Sequence, residues 1–449
     1  MQGVCDPTEF TGEITEDIET EIETLGPAKI PNPINIPNQC FVTDNIRVSL
    51  RVNYNFLREN LSKGLESASL ELAGPRPYIY FDPSKTKVGI VTCGGLCPGI
   101  NDVIRSIVMT LYYSYGVDKI IGFRYGLQGF IPKYGHPVVE LNPEVVKDIH
   151  TMGGTFLGTS RGHQSIEEIV DTLERLNIQI LFMIGGDGTF RAANKIKEEI
   201  SKRGLKIGVI AIPKTIDNDI WLVSKTFGFD TAVELACEAI RCAHTEAIAV
   251  PYGIGLVKLM GRHSGFIAAA ATLATKEVNF CLVPEIDFDL EGPRGFLAQL
   301  ERRLVTRKHA VVVVAEGAGQ RYVRKDPPEY DASGNIKLGD IGKFLKDRIN
   351  EYFKERGLEV IIRYIDPSYI IRSVPANVED RIYCGFLGQY AVHAGMAGKT
   401  GLMISYLNDQ FVHIPLKEAV KRRKQINLQS RFWLSVLEST GQRDFKNSP

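Results

Sequence analysis

The chain has 449 residues, and its 53 Lys and Arg balance its 53 Asp and Glu, which leaves no positive field that would favour nucleic acid. This length allows two domains, or one large domain with extensions. Uncharged stretches are shorter than the roughly 18 to 20 residues of a membrane helix, and no secretory signal is visible at the N-terminus. The eight cysteines include no C-x-x-C pair and no zinc-ligand spacing. We therefore expect reduced thiols in a cytoplasmic protein with no nucleic-acid partner and no membrane association.

Residues 1–81 are predicted to form an extension ahead of the first core strand. The segment is acidic between residues 6 and 23, and four prolines between residues 27 and 37 prevent a regular helix there. This composition favours a partly disordered or surface-wrapping arm. Residues 48–65 then have the pattern of a helix.

Units of strand, polar loop and helix begin at Lys87. The first unit is an apolar strand at residues 88–91, a glycine-rich turn at residues 92–99 and a helical pattern at residues 100–115. Similar units recur to the strand near residue 364 and the polar loop that follows it. The repetition predicts an α/β fold with mainly parallel sheets and helices on both faces.

The stretch from Ile178 to Asp219 carries most of the candidate chemistry. One apolar strand ends in Gly-Gly-Asp-Gly-Thr at residues 185–189, and the next ends in Pro-Lys-Thr-Ile-Asp-Asn-Asp at residues 213–219. Ligands of open α/β sheets bind at the carboxyl ends of strands, and a glycine-rich turn before a helix accommodates a phosphate. Asp187 is a candidate magnesium ligand and Asp217 a candidate general base. This combination indicates phosphoryl transfer.

Cations occur in two other glycine-rich loops. Arg161 lies in Gly-Gly-Thr-Phe-Leu-Gly-Thr-Ser-Arg-Gly at residues 153–162, where small neighbours leave its guanidinium room to meet a phosphate. Arg262 follows a predicted strand at residues 253–259. Both loops extend the predicted phosphate-binding edge.

A run of four basic residues occupies positions 421–424. Zero net charge and the lack of interleaved aromatic residues argue against nucleic-acid binding. We interpret the run as a solvated helix face or a subunit contact.

These motifs together resemble the 6-phosphofructokinase family, and within it the ATP-dependent branch of plants and trypanosomatids. They run in the family's order from Thr92 to Arg372: TCGGLCPGIN, GGTFLGTSRG, IGGDGT, PKTIDND, LMGRHSGFIA, PE, AEG and YIIR. A lone GGDG also occurs in NAD kinases and diacylglycerol kinases. GGDGT followed by TIDND and then MGR is far more specific, so the NAD kinase and lipid kinase alternatives are disfavoured.

The resemblance implies two Rossmann-like, three-layer α/β/α domains with the active site in the cleft between them. The expected donor domain, which binds ATP and magnesium, comprises residues 82–227 plus about 371–408. The expected sugar-phosphate domain comprises residues 228–370. A C-terminal helical tail would occupy residues 409–449.

Site roles carry over from the family where its motifs match. The ATP site would comprise Gly94, Arg161, Gly162, Gly186, Asp187, Gly188 and Thr189, with Asp187 holding Mg²⁺. The substrate site would comprise Thr215, Ile216, Asp217, Met260, Gly261, Arg262, Glu316, Arg363, Tyr369 and Arg372. Asp217 would be the base, and Thr215 and Arg262 would assist catalysis.

Two positions depart from the family pattern. Members with an arginine seven residues before the MGR methionine use it to reach the sugar phosphate, and here that position is Gly253. Pyrophosphate-using members have aspartate after the metal-binding aspartate and lysine before TID. This chain has Gly188, which favours ATP, and Lys214, which favours pyrophosphate.

The predicted reaction moves the γ-phosphoryl group of ATP to the 1-hydroxyl of fructose 6-phosphate, a step of glycolysis. A diphosphate-dependent phosphotransferase is the alternative, and a non-catalytic regulatory subunit is a more distant one. Longer sugar phosphates such as sedoheptulose 7-phosphate would also suit the same arginines. The resemblance further implies a homo-oligomer, dimeric or tetrameric, and an allosteric enzyme whose effector the sequence does not identify.

Overall fold

The computed structural model describes residues 18–330 and 336–447. The start of the predicted extension, residues 1–17, lies outside the described residues. Within the described ranges, no helix combines the length and apolar character needed to cross a bilayer.

A nine-stranded sheet, here the larger sheet, forms the main body. Its five central strands run parallel and its outer strands are antiparallel. The spatial order is Arg47–Ser49, Ser69–Leu72, Gln410–Pro415, Leu402–Leu407, Gly208–Pro213, Ile180–Gly185, Lys87–Thr92, Lys119–Phe123 and Val139–Leu141.

A second, smaller sheet has four parallel strands in the order Phe280–Leu282, His309–Ala315, Gly253–Leu259 and Ile361–Ile365. Two short antiparallel pairs lie apart from both sheets: Glu23–Thr24 with Lys399–Thr400, and Ile30–Pro31 with Tyr78–Ile79. The predicted α/β class with mainly parallel sheets is confirmed.

The helices connect and cover these strands. The α-helices are Tyr54–Ser62, Ile100–Met109, Pro143–Val146, Ile166–Arg175, Asp187–Lys202, Phe229–Ile248, Phe266–Thr275, Phe296–Arg307, Ile341–Glu355, Val378–Met396, Leu416–Ala419 and Arg431–Thr440. A π-helical segment, Thr110–Tyr115, continues Ile100–Met109, and 3₁₀ turns occur at Gly126–Phe130, Pro132–Tyr134, Ile149–Thr151, Gln320–Tyr322 and Ile370–Arg372.

Alternate residues of the central strands enter different cores, as a sheet covered on both faces requires. In Ile180–Gly185, Phe182 packs with the residues that join the two sheets, whereas Leu181 and Met183 pack on the opposite face. The joining core also contains Val257 and Val313 of the smaller sheet, together with residues of the helices between the sheets. A third core covers the far side of the smaller sheet. The two sheets are therefore connected by packed helices rather than by a linker.

Parts of the predicted extension and tail are paired in the larger sheet. Arg47–Ser49 and Ser69–Leu72 come from the extension, and Gln410–Pro415 comes from the segment expected to be helical. The helix expected at residues 48–65 is shorter, Tyr54–Ser62, and begins after Asn53, whose side chain caps it. The division of the chain into domains stays a prediction.

A cluster of buried charges joins the extension to this sheet. The Glu71 carboxylate accepts hydrogen bonds from Arg76 (2.6 Å), Lys399 (3.0 Å) and His413 Nδ1 (2.8 Å). Burial raises the pKa of Glu71, but hydrogen bonds from His413 and Lys399 outweigh it and lower the pKa to about 2. Asp44, whose side chain is mostly exposed, also pairs with Arg76 and Lys399. The cluster depends on Glu71 because Glu71 is its one buried carboxylate among the described residues.

Glu71→Gln is expected to lower the free energy of unfolding by ~3–5 kcal/mol, because two buried cations would share only Asp44 as a counter-charge. Urea unfolding at neutral pH measures the change. Because the folded pKa lies below the unfolded value, the stability that Glu71 contributes is present above about pH 4.5 and is lost as pH falls towards 2. The difference between wild type and variant should therefore shrink over that range.

Glu140→Gln is the matched control, since Glu140 is an exposed strand residue of the same sheet. It should change the unfolding free energy by less than ~0.5 kcal/mol. Equal losses in both variants would contradict the role given to Glu71.

Candidate active site

Two motif loops leave the larger sheet side by side. Ile180–Gly185 and Gly208–Pro213 pair in parallel up to the last residue, where Pro213 lies opposite Gly185. The backbone N–H of Lys214 then donates to the carbonyl of Gly185 at 2.9 Å. The GGDGT and PKTIDND motifs therefore begin from neighbouring points at the same edge of the sheet.

These loops open into a cleft of about 1300 Å³, whose walls include loop residues that follow strands of the larger sheet and Lys258 of the smaller sheet. All the candidate site residues except Gly261 and Arg363 line it: Gly94, Arg161, Gly162, Gly186, Asp187, Gly188, Thr189, Lys214, Thr215, Ile216, Asp217, Met260, Arg262, Glu316, Tyr369 and Arg372. The structure thus gathers side chains that are far apart in sequence.

At one wall of the cleft a 16-residue helix begins at Asp187. No side chain caps its start at Gly186, so its first amide groups and positive dipole end are available to a ligand. A β-carbon added at Gly188 would meet no protein atom within 4 Å. Nothing within the described protein requires glycine there, and the space beside it belongs to the cleft.

Lys214 connects the neighbouring glycine loops. Its ammonium group donates to the carbonyl of Gly95 at 2.6 Å, and its side chain is buried. Burial lowers the pKa of Lys214. The lysine therefore has a hydrogen-bond partner in the protein backbone.

Three carboxyl groups lie close together on the PKTIDND side. Burial, and then the charges of Asp219 and Glu316, raise the pKa of Asp217 to about 8. Burial also raises the pKa values of Asp219 and Glu316. The hydroxyl of Thr215 accepts from the backbone N–H of Asp217 (3.1 Å) and donates to Asp219 (3.3 Å), which fixes the loop. Asp217 thus combines a raised proton affinity with a fixed position.

The two candidates outside the cleft have other surroundings. Gly261 has a φ of +133°, and a β-carbon there would lie 2.5 Å from the carbonyl oxygen of Ser264. It therefore shapes the loop that presents Met260 and Arg262. Arg363 forms an ion pair with Glu246 at 3.1 Å on the surface of the smaller sheet. Its side chain does not reach the cleft of its own chain.

Cations lie around Asp187 at one end of the cleft. Asp187 contacts Arg191 at 3.3 Å and Arg423 at 3.1 Å. Over residues 18–330 and 336–447, no three His, Cys, Asp or Glu side chains are grouped so that they would hold a metal ion by themselves.

Residues 87–395 match the sequence profile of a family described as Phosphofructokinase, which covers more than half of the chain. The chain belongs to the phosphofructokinase family.

Relatives that align over most of their length agree with this assignment. A Borreliella burgdorferi protein named ATP-dependent 6-phosphofructokinase is 52% identical over 438 residues, spanning 95% of this chain and 97% of that protein. A Trypanosoma cruzi protein of the same name is 48% identical over 375 residues, spanning 82% of this chain and 76% of that protein. The family resemblance inferred from the motifs, including its trypanosomatid branch, is confirmed.

The fold is also that of solved phosphofructokinases. The crystal structure of a pyrophosphate-dependent phosphofructokinase from Marinobacter aquaeolei matches with a TM-score of 0.65 at 20% identity, covering 80% of this chain and 92% of that chain. At this identity the likeness concerns the fold alone.

Two residues of the phosphofructokinase cleft region were missed in the sequence. Arg423 lines the cleft, and the ammonium group of Lys424 is buried and donates to the Asn218 side chain (2.8 Å) and to the carbonyls of Val223 (2.7 Å) and Ser224 (3.0 Å). The prediction that these two residues lie on a solvated helix face is wrong. Residues 421–424 are not helical, and the backbone of Arg423 forms a β-bridge with Ile220. A run of four basic residues does not indicate which side chains point into the protein and which point to solvent.

The Pro-Glu motif holds this C-terminal segment, residues 420–426, against the rest of the site. The partly buried carboxylate of Glu285 accepts from the backbone N–H groups of Gly265 (3.0 Å) and Ile426 (2.9 Å). The Gln425 side chain donates to the carbonyl of His263 at 3.1 Å. The segment is thereby tied to the loop that carries Arg262.

Lys424→Met is expected to lower the free energy of unfolding by at least ~1–3 kcal/mol, because the Asn218 side chain and two carbonyl groups would lose their buried donor. Urea unfolding monitored by circular dichroism measures it.

Lys417→Met is the matched control, since Lys417 is an exposed residue just ahead of the segment. It should stay within ~0.5 kcal/mol of wild type. A Lys424 variant as stable as this control would show that the buried contacts contribute nothing.

Proposed function

We propose that this chain transfers the γ-phosphoryl group of ATP to the 1-hydroxyl of fructose 6-phosphate, giving fructose 1,6-bisphosphate and ADP. The observation that carries the proposal is the meeting, in one cleft, of an uncapped helix start at Asp187 with the partly buried carboxyl group of Asp217. The first is a seat for a phosphate and the second a proton acceptor. The names of the two relatives described above support ATP as the donor.

Asp217 acts as the general base in this proposal. Its carboxylate takes the proton of the 1-hydroxyl as that oxygen bonds to the γ-phosphorus and the bond to the ADP oxygen breaks. Burial keeps the pKa of Asp217 high, so its ionised form is a stronger proton acceptor than an exposed carboxylate. Thr215 fixes the loop, and Arg161 and Arg262 supply positive charge to the transferring group.

Magnesium fits the donor end of the cleft. Mg²⁺ is commonly held by one or two carboxylates together with substrate phosphates, which suits the lone carboxylate of Asp187 at the helix start. When bound, the ion offsets phosphate charge and orients the donor. The role of the protein is then to present Asp187 and the helix amides on one side of the cleft.

ATP is preferred to pyrophosphate because of the open space at Gly188. A carboxylate at this position would repel the α-phosphate of a nucleotide, whereas glycine leaves room for it. Lys214 is only weak support for pyrophosphate as the donor, because its ammonium group donates a hydrogen bond to the carbonyl of Gly95. The diphosphate-dependent reaction is the second candidate. A non-catalytic subunit is disfavoured because Asp187, Asp217 and Arg262 all line the cleft.

The sugar phosphate would occupy the opposite end of the cleft. Arg372 lies over the Tyr369 ring at 4.9 Å and approaches Gly95 of the donor side, while Glu316 would bind sugar hydroxyls. Arg363 would not contribute from its own chain.

Cytoplasmic location and a homo-oligomer remain part of the proposal. Seven free cysteines among the described residues are in keeping with a reducing compartment.

A donor comparison tests the reaction. Wild type should make fructose 1,6-bisphosphate with ATP, and Gly188→Asp should lower kcat/KM for ATP at least ~10-fold, because the new carboxylate faces the donor phosphates. A coupled assay with ATP or pyrophosphate measures both proteins.

Gly188→Ala adds a β-carbon without charge and separates crowding from repulsion; it should lose far less than the aspartate variant. Wild-type turnover with pyrophosphate but not with ATP would reverse the donor assignment.

Asp217→Asn tests the base, and should lower kcat by ~10²–10⁴-fold. In wild type, kcat/KM for fructose 6-phosphate should rise as pH approaches the pKa of about 8, because only the ionised carboxylate accepts the proton. The asparagine variant should lack this rise.

A comparison of melting temperatures distinguishes a loss of catalysis in Asp217→Asn from misfolding of the variant. A carboxyl group with a raised folded pKa destabilises the protein once it ionises, so at alkaline pH the asparagine variant should melt no lower than wild type. Asp118→Asn, at an exposed site, is the control for activity. Near-normal turnover by Asp217→Asn would rule out the base assignment.

A further inference from the structure

Arg423 belongs to a part of the chain that the family match does not cover. The matched region ends at residue 395, whereas Arg423 reaches the cleft from the C-terminal segment. Its guanidinium lies 3.1 Å from Asp187 and 3.9 Å from Asp219, between the donor loop and the acceptor loop. No candidate site residue recognised from the motifs occupies this position.

The backbone on both sides of Arg423 is fixed. Arg423 itself bridges to Ile220, the backbone N–H of Lys424 donates to the carbonyl of Asp219 at 2.9 Å, and the side chain of Arg191 donates to the carbonyl of Val420 at 2.9 Å. The guanidinium is therefore delivered into the cleft by an anchored backbone, not by a free surface chain.

The charges at this point suit a phosphate chain. A guanidinium forms paired hydrogen bonds with phosphate oxygens, and Arg423 stands beside the helix start at which donor phosphates would lie. Its present partner, Asp187, is the carboxylate that the proposed function gives to a cation. Once Asp187 is so engaged, Arg423 keeps Asp219 as a more distant partner at 3.9 Å, and its guanidinium can bind donor phosphate oxygens.

We propose that Arg423 binds the phosphate chain of the nucleotide donor, which makes the C-terminal segment, residues 420–426, a part of the donor site. This inference rests on the proposed function. Arg423 pairs with Asp187 in the structure, and with the donor bound it would contact donor phosphate oxygens. Arg423 is thus a residue for donor affinity and orientation, and its ion pairs are with Asp187 and Asp219 rather than with the residues assigned to the sugar phosphate.

Calorimetric binding of ADP with Mg²⁺, which involves no turnover, tests the proposal. Arg423→Gln should weaken ADP binding by about 10- to 100-fold, because a charge-assisted contact is lost, and should leave binding of fructose 6-phosphate within about 2-fold of wild type. In the steady state, KM for ATP should rise while KM for fructose 6-phosphate stays constant. Arg423→Lys, which retains the charge, should recover part of the ADP affinity.

Arg422→Gln is the matched control, since the neighbouring guanidinium lies over the Trp221 ring at 5.6 Å and does not line the cleft. It should bind ADP like wild type. If Arg423→Gln folds poorly, Arg423→Met replaces it, because methionine retains the aliphatic part of the side chain. The same loss of ADP affinity with unchanged fructose 6-phosphate binding is expected.

Unchanged ADP affinity in the Arg423 variants, or an equal loss of fructose 6-phosphate binding, would overturn the inference and leave the proposed function standing. A wild-type protein that binds no ADP would instead overturn the proposed donor, and this inference with it.

Discussion

The parallel pairing of Ile180–Gly185 with Gly208–Pro213 is the constraint on which the site depends. The two strands run in register to their last residues, so the loops after them start about one strand spacing apart. One loop becomes the start of a helix and the other carries Asp217. A slip by one residue would turn every side chain of a strand to its other face, exchanging the two cores that cover this sheet. Core packing thereby fixes the geometry of the cleft.

The cleft retains charges that folding alone would not favour. Asp217, Asp219 and Glu316 are largely buried with raised pKa values, and burial lowers the pKa of Lys214. Such groups cost stability, and proteins commonly keep them where a ligand or reaction needs them. By contrast, the Glu71 cluster balances its buried charges with direct partners, and the pKa of Glu71 falls. The opposite shifts distinguish a site built for chemistry from one that holds the fold together.

Most of the site was predicted from short sequence patterns such as an apolar strand followed by a glycine-rich loop. These predictions failed for residues whose positions depend on contacts with distant parts of the chain. The GGDGT and PKTIDND loops could be recognised because each follows an apolar strand directly. Arg423 could not, because its place in the cleft depends on a backbone bridge to Ile220, about 200 positions earlier. Gln410–Pro415 was expected to be helical, although it pairs with Leu402–Leu407 as a strand. Arg363 lies a few residues before the YIIR motif, which suggested a role in the site. Its position in the strand Ile361–Ile365 instead places its side chain beside Glu246.

Asn218 joins the C-terminal segment to the loop of residues 213–219. It lies between Asp217 and Asp219 with a φ of +54°, a conformation that asparagine tolerates better than most residues. Its side-chain oxygen accepts from the backbone N–H of Thr226 (3.1 Å) and from Lys424 (2.8 Å). The turn that separates the two aspartates is thus held from one side by its own loop and from the other by the segment that delivers Arg423. Movement of that segment would therefore disturb both Asp217, the proposed base, and Arg423, the proposed donor contact, because Lys424 joins the segment to the turn beside Asp217.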